Sequence, residues 1–205
     1  MKDLIDIINS RCSIRHFELK PIPNDIIDKI IKAGIRAPTA SAAEQWFFVV
    51  IEKETVRKRL FDLIIKAHII YAEKVLRRMA DEKKLAEWKE KIIREKRYYA
   101  PLYIAAYVDL REKVCKDEYS DFEYLWAVQS LSAAIENMIL TAWSMGIGSV
   151  WLGVPMLMKD EFNEVLGIKD KNLDLMAILA LGYPSKEPRI KGRKKDINKV
   201  TVFIK

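Results

Sequence analysis

Apolar and polar positions alternate with different periods along this chain, and the period marks the elements. Met1 to Ile8 places Leu4, Ile5 and Ile8 on one helical face. Pro23 to Ala33 repeats that spacing with Ile27, Ile30, Ile31 and Gly34, Asn24 being placed to cap the helix. Pro38 closes it, because the residue before a proline is pushed out of the helical region. Trp46 to Ile51 is an unbroken run of strand formers with no polar alternation, which predicts a central strand covered on both faces. From Glu54 to about Arg97 the pattern is helical and heavily charged, with i,i+4 pairs at Glu73–Arg77, Glu87–Lys91 and Glu90–Arg94. Such a segment supports its own exposed face and can stand partly clear of the core. Pro101 to Val108 is a second interior strand. Phe122 to Met145 is apolar nearly all round, hence a buried helix, stopped by Gly146-Ile147-Gly148. Ser149 to Leu152, Lys159 to Leu166 and Asp174 to Leu181 follow as strand, helix ended by Gly167, and interior strand. The turn Gly182-Tyr183-Pro184-Ser185 leads into a basic linker and a last strand, Lys199 to Ile204.

Long helical blocks between isolated strands argue for an α+β fold with helices on both faces of one sheet, rather than strict βαβ alternation. No repeat and no composition break divides the chain, so residues 1–205 are expected as one domain. Within it, residues 54–100 form a helical excursion or lid, and 186–205 the basic linker and final strand. A strand at the extreme end, beyond a polar linker, is well placed to join the sheet edge of another subunit.

Charge and composition narrow the function. The excess of 36 Lys+Arg over 29 Asp+Glu is modest and spread out, apart from Lys186 to Lys199. A solvated basic surface explains it first, an anionic ligand second and nucleic acid third, since no nucleic-acid motif is present. Cys12, Cys115, His16 and His68 show no metal-ligand spacing, so no metal site is expected. Asn137 to Met158 carries no charge and is long enough to span a bilayer, but its glycines, Pro155 and polar residues fit a helix turning into a strand. The protein is expected to be soluble and cytoplasmic, with no membrane partner.

Ser10-Arg11-Cys12-Ser13-Ile14-Arg15-His16-Phe17 carries the candidate chemistry. In extended chain Arg11, Ser13 and Arg15 project to one side and Cys12 and Ile14 to the other. Two guanidiniums and a hydroxyl suit an anion with several oxygens. Two solvated arginines would also account for so short a motif.

Four stretches in order resemble the nitroreductase superfamily of FMN-dependent oxidoreductases: Arg11 to Phe17, Ala37-Pro38-Thr39-Ala40-Ser41-Ala42-Ala43-Glu44-Gln45-Trp46, Ala142 to Gly153, and Leu179 to Pro184 with Lys191-Gly192-Arg193. The resemblance implies a three-layer α-β-α fold with a mainly antiparallel sheet, in a homodimer whose C-terminal strands exchange and whose two FMN sites lie at the interface. It implies that Arg11 and Arg193 hold the phosphate, with Ser13 on phosphate or ribityl and Lys191 nearby. Arg15 would lie toward the pyrimidine end of the flavin, where a cation stabilises reduced flavin. Pro38, Thr39 and Ala40 would border the cofactor from the partner subunit, and Leu152 and Gly153 would lie against the ring. Cys12 stands where the family has a second basic residue, Ala42 where many members have an asparagine, and Glu44-Gln45 where Gln-Pro is common.

The expected activity is reduction of a small-molecule acceptor, such as a nitroaromatic or quinone, with NADH or NADPH as reductant. Transfer through flavin N5 gives ping-pong kinetics and needs no catalytic side chain. The alternative is reductive dehalogenation, or another reduced-flavin reaction, on a specific aromatic metabolite, with Tyr71 as a substrate contact. The amino-acid clamp of the dehalogenase branch would want a carboxylate where this chain has Ala67. The non-enzyme alternative is a basic nucleic-acid-binding module built on Lys186 to Lys199.

Overall fold

The interior apolar runs form one antiparallel sheet, and side-chain alternation along its central strand divides the core in two. The structure, a computed structural model, describes residues 3–76, 81–189 and 195–204. Four strands, β1 (Trp46–Ile51), β2 (Leu102–Asp109), β3 (Gly148–Leu152) and β4 (Leu173–Gly182), lie in the order β1-β2-β4-β3, every neighbouring pair antiparallel. Tyr103, Ala105 and Tyr107 of β2 pack into a core with α3 (Glu54–Ile70) and α6 (Lys159–Leu166). Leu102, Ile104, Ala106 and Val108 enter the other core, with α2 (Asn24–Gly34) and α5 (Ser120–Ser144). Strand alternation thus produces the three layers. The α2–α5 crossing is tight: a Cβ on Gly34 would lie 2.7 Å from Met138 Cγ, and Asn137 Nδ2 donates to Ala33 O at 3.2 Å.

The charged excursion consists of α3, a π-helical turn at Tyr71–Val75, and α4 (Glu82–Arg94), which Asp81 caps by accepting from the Lys83 and Lys84 amides. Lys89 of α4 pairs with Glu73 of the turn, and Arg94 pairs with Glu90 at 3.2 Å. Arg77, expected opposite Glu73, lies outside the described residues.

Several expectations need correction. Trp46–Ile51 is an edge strand, hydrogen-bonded to β2 alone, and its side chains are mostly half-buried. Asn24 begins α2 but caps nothing, since Pro23 holds the cap position and no side-chain bond is made there. The apolar stripe of α1 (Leu4–Ser10) faces outward through Leu4, Ile5 and Ile8, and α5 exposes Phe122, Leu125 and part of Trp126. Lys199 to Ile204 is no strand in the isolated chain. A 3-10 turn at Ile197–Lys199 leads to Val202, Phe203 and Ile204, which are 87%, 71% and 96% exposed. A strand needs a neighbour for its hydrogen bonds, and this chain offers that segment none. Among the described residues no helix is long and apolar enough to cross a membrane.

Candidate functional site

The Arg11–Phe17 segment leaves α1 and is stitched to the sheet at both ends. Trp143 Nε1 of α5 donates to Ser10 Oγ at 3.0 Å, fixing where the segment starts. The Ile14 amide donates to Ser149 O at 2.9 Å, adding a short parallel bridge to β3, and the Glu18 amide donates to Tyr183 O at 2.9 Å. Ile14 is buried against Gly148, where an added Cβ would lie 2.6 Å from Ile14 Cγ1. Only glycine leaves room there for the Ile14 side chain. With Ile14 facing the core, Arg15 is directed outward, its Nη1 donating to Ser13 O at 3.2 Å.

Arg15 also receives the end of the excursion, because its carbonyl accepts from the Tyr98 amide at 2.9 Å. Tyr98 has φ of 77°, a left-handed conformation that costs a non-glycine residue about 1–3 kcal/mol and persists only when its surroundings hold it. Three contacts do so: the bond to Arg15, the Tyr103 hydroxyl donating to Tyr98 O at 2.8 Å, and a ring stack on His68 at 4.5 Å and 17°.

Two cavities meet at Arg15. The first, about 830 Å³, is lined by the Cys12–His16 segment, by Lys91, Glu95 and Arg97, and by 186–189 with Lys186 and Arg189. Its cations outnumber its carboxylates. Among the described residues Arg97 Nε is buried without a hydrogen-bond partner, and the Arg97 guanidinium lies 5.4 Å from the Tyr98 ring centroid. The second, about 580 Å³, is largely aromatic and apolar. Arg15, His68, Tyr71, Tyr98, Trp151 and the Leu152-Gly153 turn contribute to it.

Both histidines are held toward the neutral form. Partial burial and the nearby Lys186 lower the pKa of His16, with Glu95, 3.7 Å away, opposing. Burial lowers that of His68. The Ile64 carbonyl, 2.8 Å from Nδ1, opposes the shift, while Arg97 and Arg15 add to it.

The sequence profile of the Nitroreductase family matches residues 8–183. The chain belongs to that family. A Bacillus subtilis relative named as an NAD(P)H nitroreductase, YfhC, is 30% identical over 190 residues, covering 93% of this chain and 89% of that one. The crystal structure of a BluB-like flavoprotein from Clostridium difficile 630 matches all of both chains with a TM-score of 0.78 and 28% identity. Iodotyrosine deiodinase, in a crystal structure with FMN and 3-iodo-L-tyrosine, matches 98% of this chain and 100% of its own with a TM-score of 0.74. At 21% identity that likeness is one of fold alone.

The nitroreductase-like residues expected from sequence fall into three groups. Cys12, Ser13, Arg15, Tyr71, Leu152 and Gly153 line the two cavities, and Arg11 stands just before them as the residue following α1. Pro38, Thr39, Ala40 and Ala42 line neither, and Glu44 lines a separate cleft with Asp109 and Arg111. Their loop is fixed to α5 by the Ala40 amide donating to Ser130 Oγ at 3.3 Å, and it holds Ser41, Ala42 and Glu44 at positive φ. Lys191 and Arg193 lie outside the described residues.

The departure at Gln45 has a structural reason. Gln45 Nε2 donates at 2.7 Å to Glu123, a buried carboxylate that also accepts from the Val114 amide at 2.6 Å. A proline could not make that bond.

Sequence reading missed His68 and Arg97, whereas Tyr98 was among the aromatic groups of the excursion that could line a pocket and Trp151 lay within the Ala142–Gly153 motif. His68 was within reach, since 68, 71 and 75 share one helical face and Tyr71 was already singled out. Arg97 was not, because the left-handed turn at Tyr98 that places it leaves no mark in a periodic pattern.

Proposed function

We propose that the protein is an FMN-dependent oxidoreductase that moves reducing equivalents from NADH or NADPH to a small aromatic acceptor, working as a homodimer. The observation that carries this reading is Arg15, placed between a basic cavity and an aromatic one. FMN has an anionic end, a polar chain and a flat apolar ring, and the walls meet those needs. Two details test the fit. The buried Nε of Arg97 has no partner among the described residues, and an acceptor brought by a ligand would satisfy it. Gly153 presents no side chain, and a Cβ there would meet nothing within 4 Å, so the wall beside it is open.

Arg11, Cys12 and Ser13 would hold the phosphate end, together with Lys191 and Arg193 as the family resemblance implies. Leu152 and Gly153 would bound the ring. When bound, FMN supplies a ring that accepts hydride and returns it. The chain binds, orients and tunes. Arg15 and Arg97 stabilise negative charge on the ligand, more strongly because Tyr98 and His68 shield that region from water. Reductant and acceptor use the aromatic cavity in turn, so the kinetics are ping-pong.

The unpartnered surfaces support the dimer. Leu4, Ile5 and Ile8 of α1, Phe122 and Leu125 of α5, and the C-terminal Val202, Phe203 and Ile204 are all exposed. The open edge of β1 would accept the C-terminal strand of a second copy. The 38–44 loop would complete the partner's site through Pro38, Thr39, Ala40, Ala42 and Glu44.

A second reading, dehalogenation of an aromatic metabolite, is favoured by Tyr71 on the cavity wall. Against an amino-acid clamp, Ala67 is fully buried. Halotyrosines that bind the oxidised protein far more tightly than tyrosine would favour it. The deciding experiment is the visible spectrum of the purified protein, followed by reduction with NADH and with NADPH. Yellow protein that turns over a nitroaromatic or quinone is expected, and Arg15→Ala should lower flavin occupancy at least tenfold at limiting FMN, with the fold retained. Colourless protein that added FMN does not reconstitute overturns the reading.

A further inference from the structure

His68 is a buried polar side chain in an aromatic cavity, and flavin binding makes no use of it. It precedes Tyr71 by about one turn of α3, and both line the cavity with Val75. Its Nδ1 lies 2.8 Å from Ile64 O. A carbonyl only accepts, so Nδ1 carries the proton and, in the neutral ring, Nε2 keeps a lone pair. The stack on Tyr98 fixes the plane of the ring. Among the described residues Nε2 makes no hydrogen bond, and burial with the nearby Arg97 and Arg15 charges opposes protonation. A fixed acceptor therefore stands in an apolar wall between Tyr71 and Tyr98.

We infer that the aromatic cavity takes a planar aromatic acceptor bearing a hydroxyl or ring N–H, which donates to Nε2 of His68 while its ring lies among Tyr71, Tyr98 and Trp151. The inference rests on the oxidoreductase reading and names the class of its acceptor. A ligand without the donor fills the same space but leaves Nε2 desolvated and unpaired. Sites built around a hydrogen bond discriminate strongly on that basis, whereas apolar pockets separate ligands differing by a methyl group only weakly.

The test titrates the oxidised, flavin-loaded, full-length protein near neutral pH with 2-naphthol and with 2-methoxynaphthalene, by calorimetry. Both ligands have the same ring system, and only one has a donor. The wild-type protein should bind 2-naphthol about tenfold more tightly, the worth of one hydrogen bond. His68→Phe, which keeps a ring on Tyr98 and removes both nitrogens, should bind the two equally. Equal affinities in the wild-type protein overturn the inference without needing any variant. So does a preference that survives in His68→Phe, which would make His68 a packing residue. The visible spectrum of the same samples separates the two levels. Yellow protein lacking the preference overturns this inference alone, whereas protein unable to take up FMN overturns the oxidoreductase reading beneath it.

Discussion

The two sides of the molecule are finished to different degrees. Around Arg15 the chain closes on itself: Ile14 fits against Gly148, Tyr98 is held in a strained conformation by three partners, and His68 is buried beneath it. Around the 38–44 loop the chain is anchored to α5 through Ser130, yet Pro38, Thr39, Ala40 and Ala42 line neither of the two cavities. Three non-glycine residues there have positive φ, and the neighbouring outer face of α5 exposes Phe122, Leu125 and Trp126. Strain is retained where a site needs a particular backbone shape, and contiguous exposed apolar groups mark surfaces that another molecule covers. The difference fits the proposed assembly, in which the 38–44 loop of one copy would meet the Arg15 side of another.

The sharpest way to break that comparison is to charge the exposed face. In the double variant Phe122→Lys, Trp126→Glu, the proposed dimer should weaken by about 2 kcal/mol or more, roughly 30-fold, and flavin should be lost with it. Thermal unfolding should change less than the association does, because Phe122 is 56% and Trp126 38% exposed. Sedimentation and the visible spectrum, taken together, check it. A monomer that keeps full flavin would show that the outward loop has no part in the site.

The second test works from inside the same region. Glu123→Leu removes the acceptor of the Val114 amide and the shorter of two bonds from the Gln45 amide, which keeps only Glu112 O at 3.4 Å. A stranded buried donor costs about 1–3 kcal/mol, and since Val114 is half-exposed and water can reach its amide, a total of about 1–3 kcal/mol is expected from the denaturant midpoint. Glu123→Gln keeps one acceptor oxygen and should lose less. If the two substitutions cost the same, the carboxylate acts as filler rather than as the clasp holding Gln45.

How much was legible follows from the same contrast. Interior strands 102–108 and 174–181 declare themselves because burial on both faces demands an unbroken apolar run, and Gly167 marks a helix end by its left-handed φ of 72°. Trp46–Ile51 carries the same apolar signal but lies at an edge of the sheet. Hydrophobicity reports that a surface will be covered, not whether the same chain covers it. The outward stripe of α1 and the exposed Val202, Phe203 and Ile204 carry the same ambiguity. Within the site, Arg15 and Gly153 were found because a motif carries them. Arg97 and Tyr98 come from a turn whose geometry is set by Arg15 and Tyr103, far away in sequence, and no local pattern encodes it.

The smallest expected effect concerns the completed side and is read in pH. His68 has a lowered pKa in the folded protein, chiefly through burial, so the unfolded chain binds more protons in the window just below the ordinary histidine value near 6.5. Folding stability should therefore fall as pH drops through that value, by at most about 1.4 kcal/mol per pH unit for this group. His16 is shifted in the same direction, by partial burial and Lys186, and adds a slope of the same sign. The chain has 2 histidines, so His68→Phe should retain only the His16 part, and a variant lacking both should be flat until carboxylates begin to protonate. Chemical denaturation between about pH 5 and 8 measures this directly. An unchanged slope in His68→Phe would mean that the ring is solvated in solution, and the wall between Tyr71 and Tyr98 would then be looser than the stack on Tyr98 indicates.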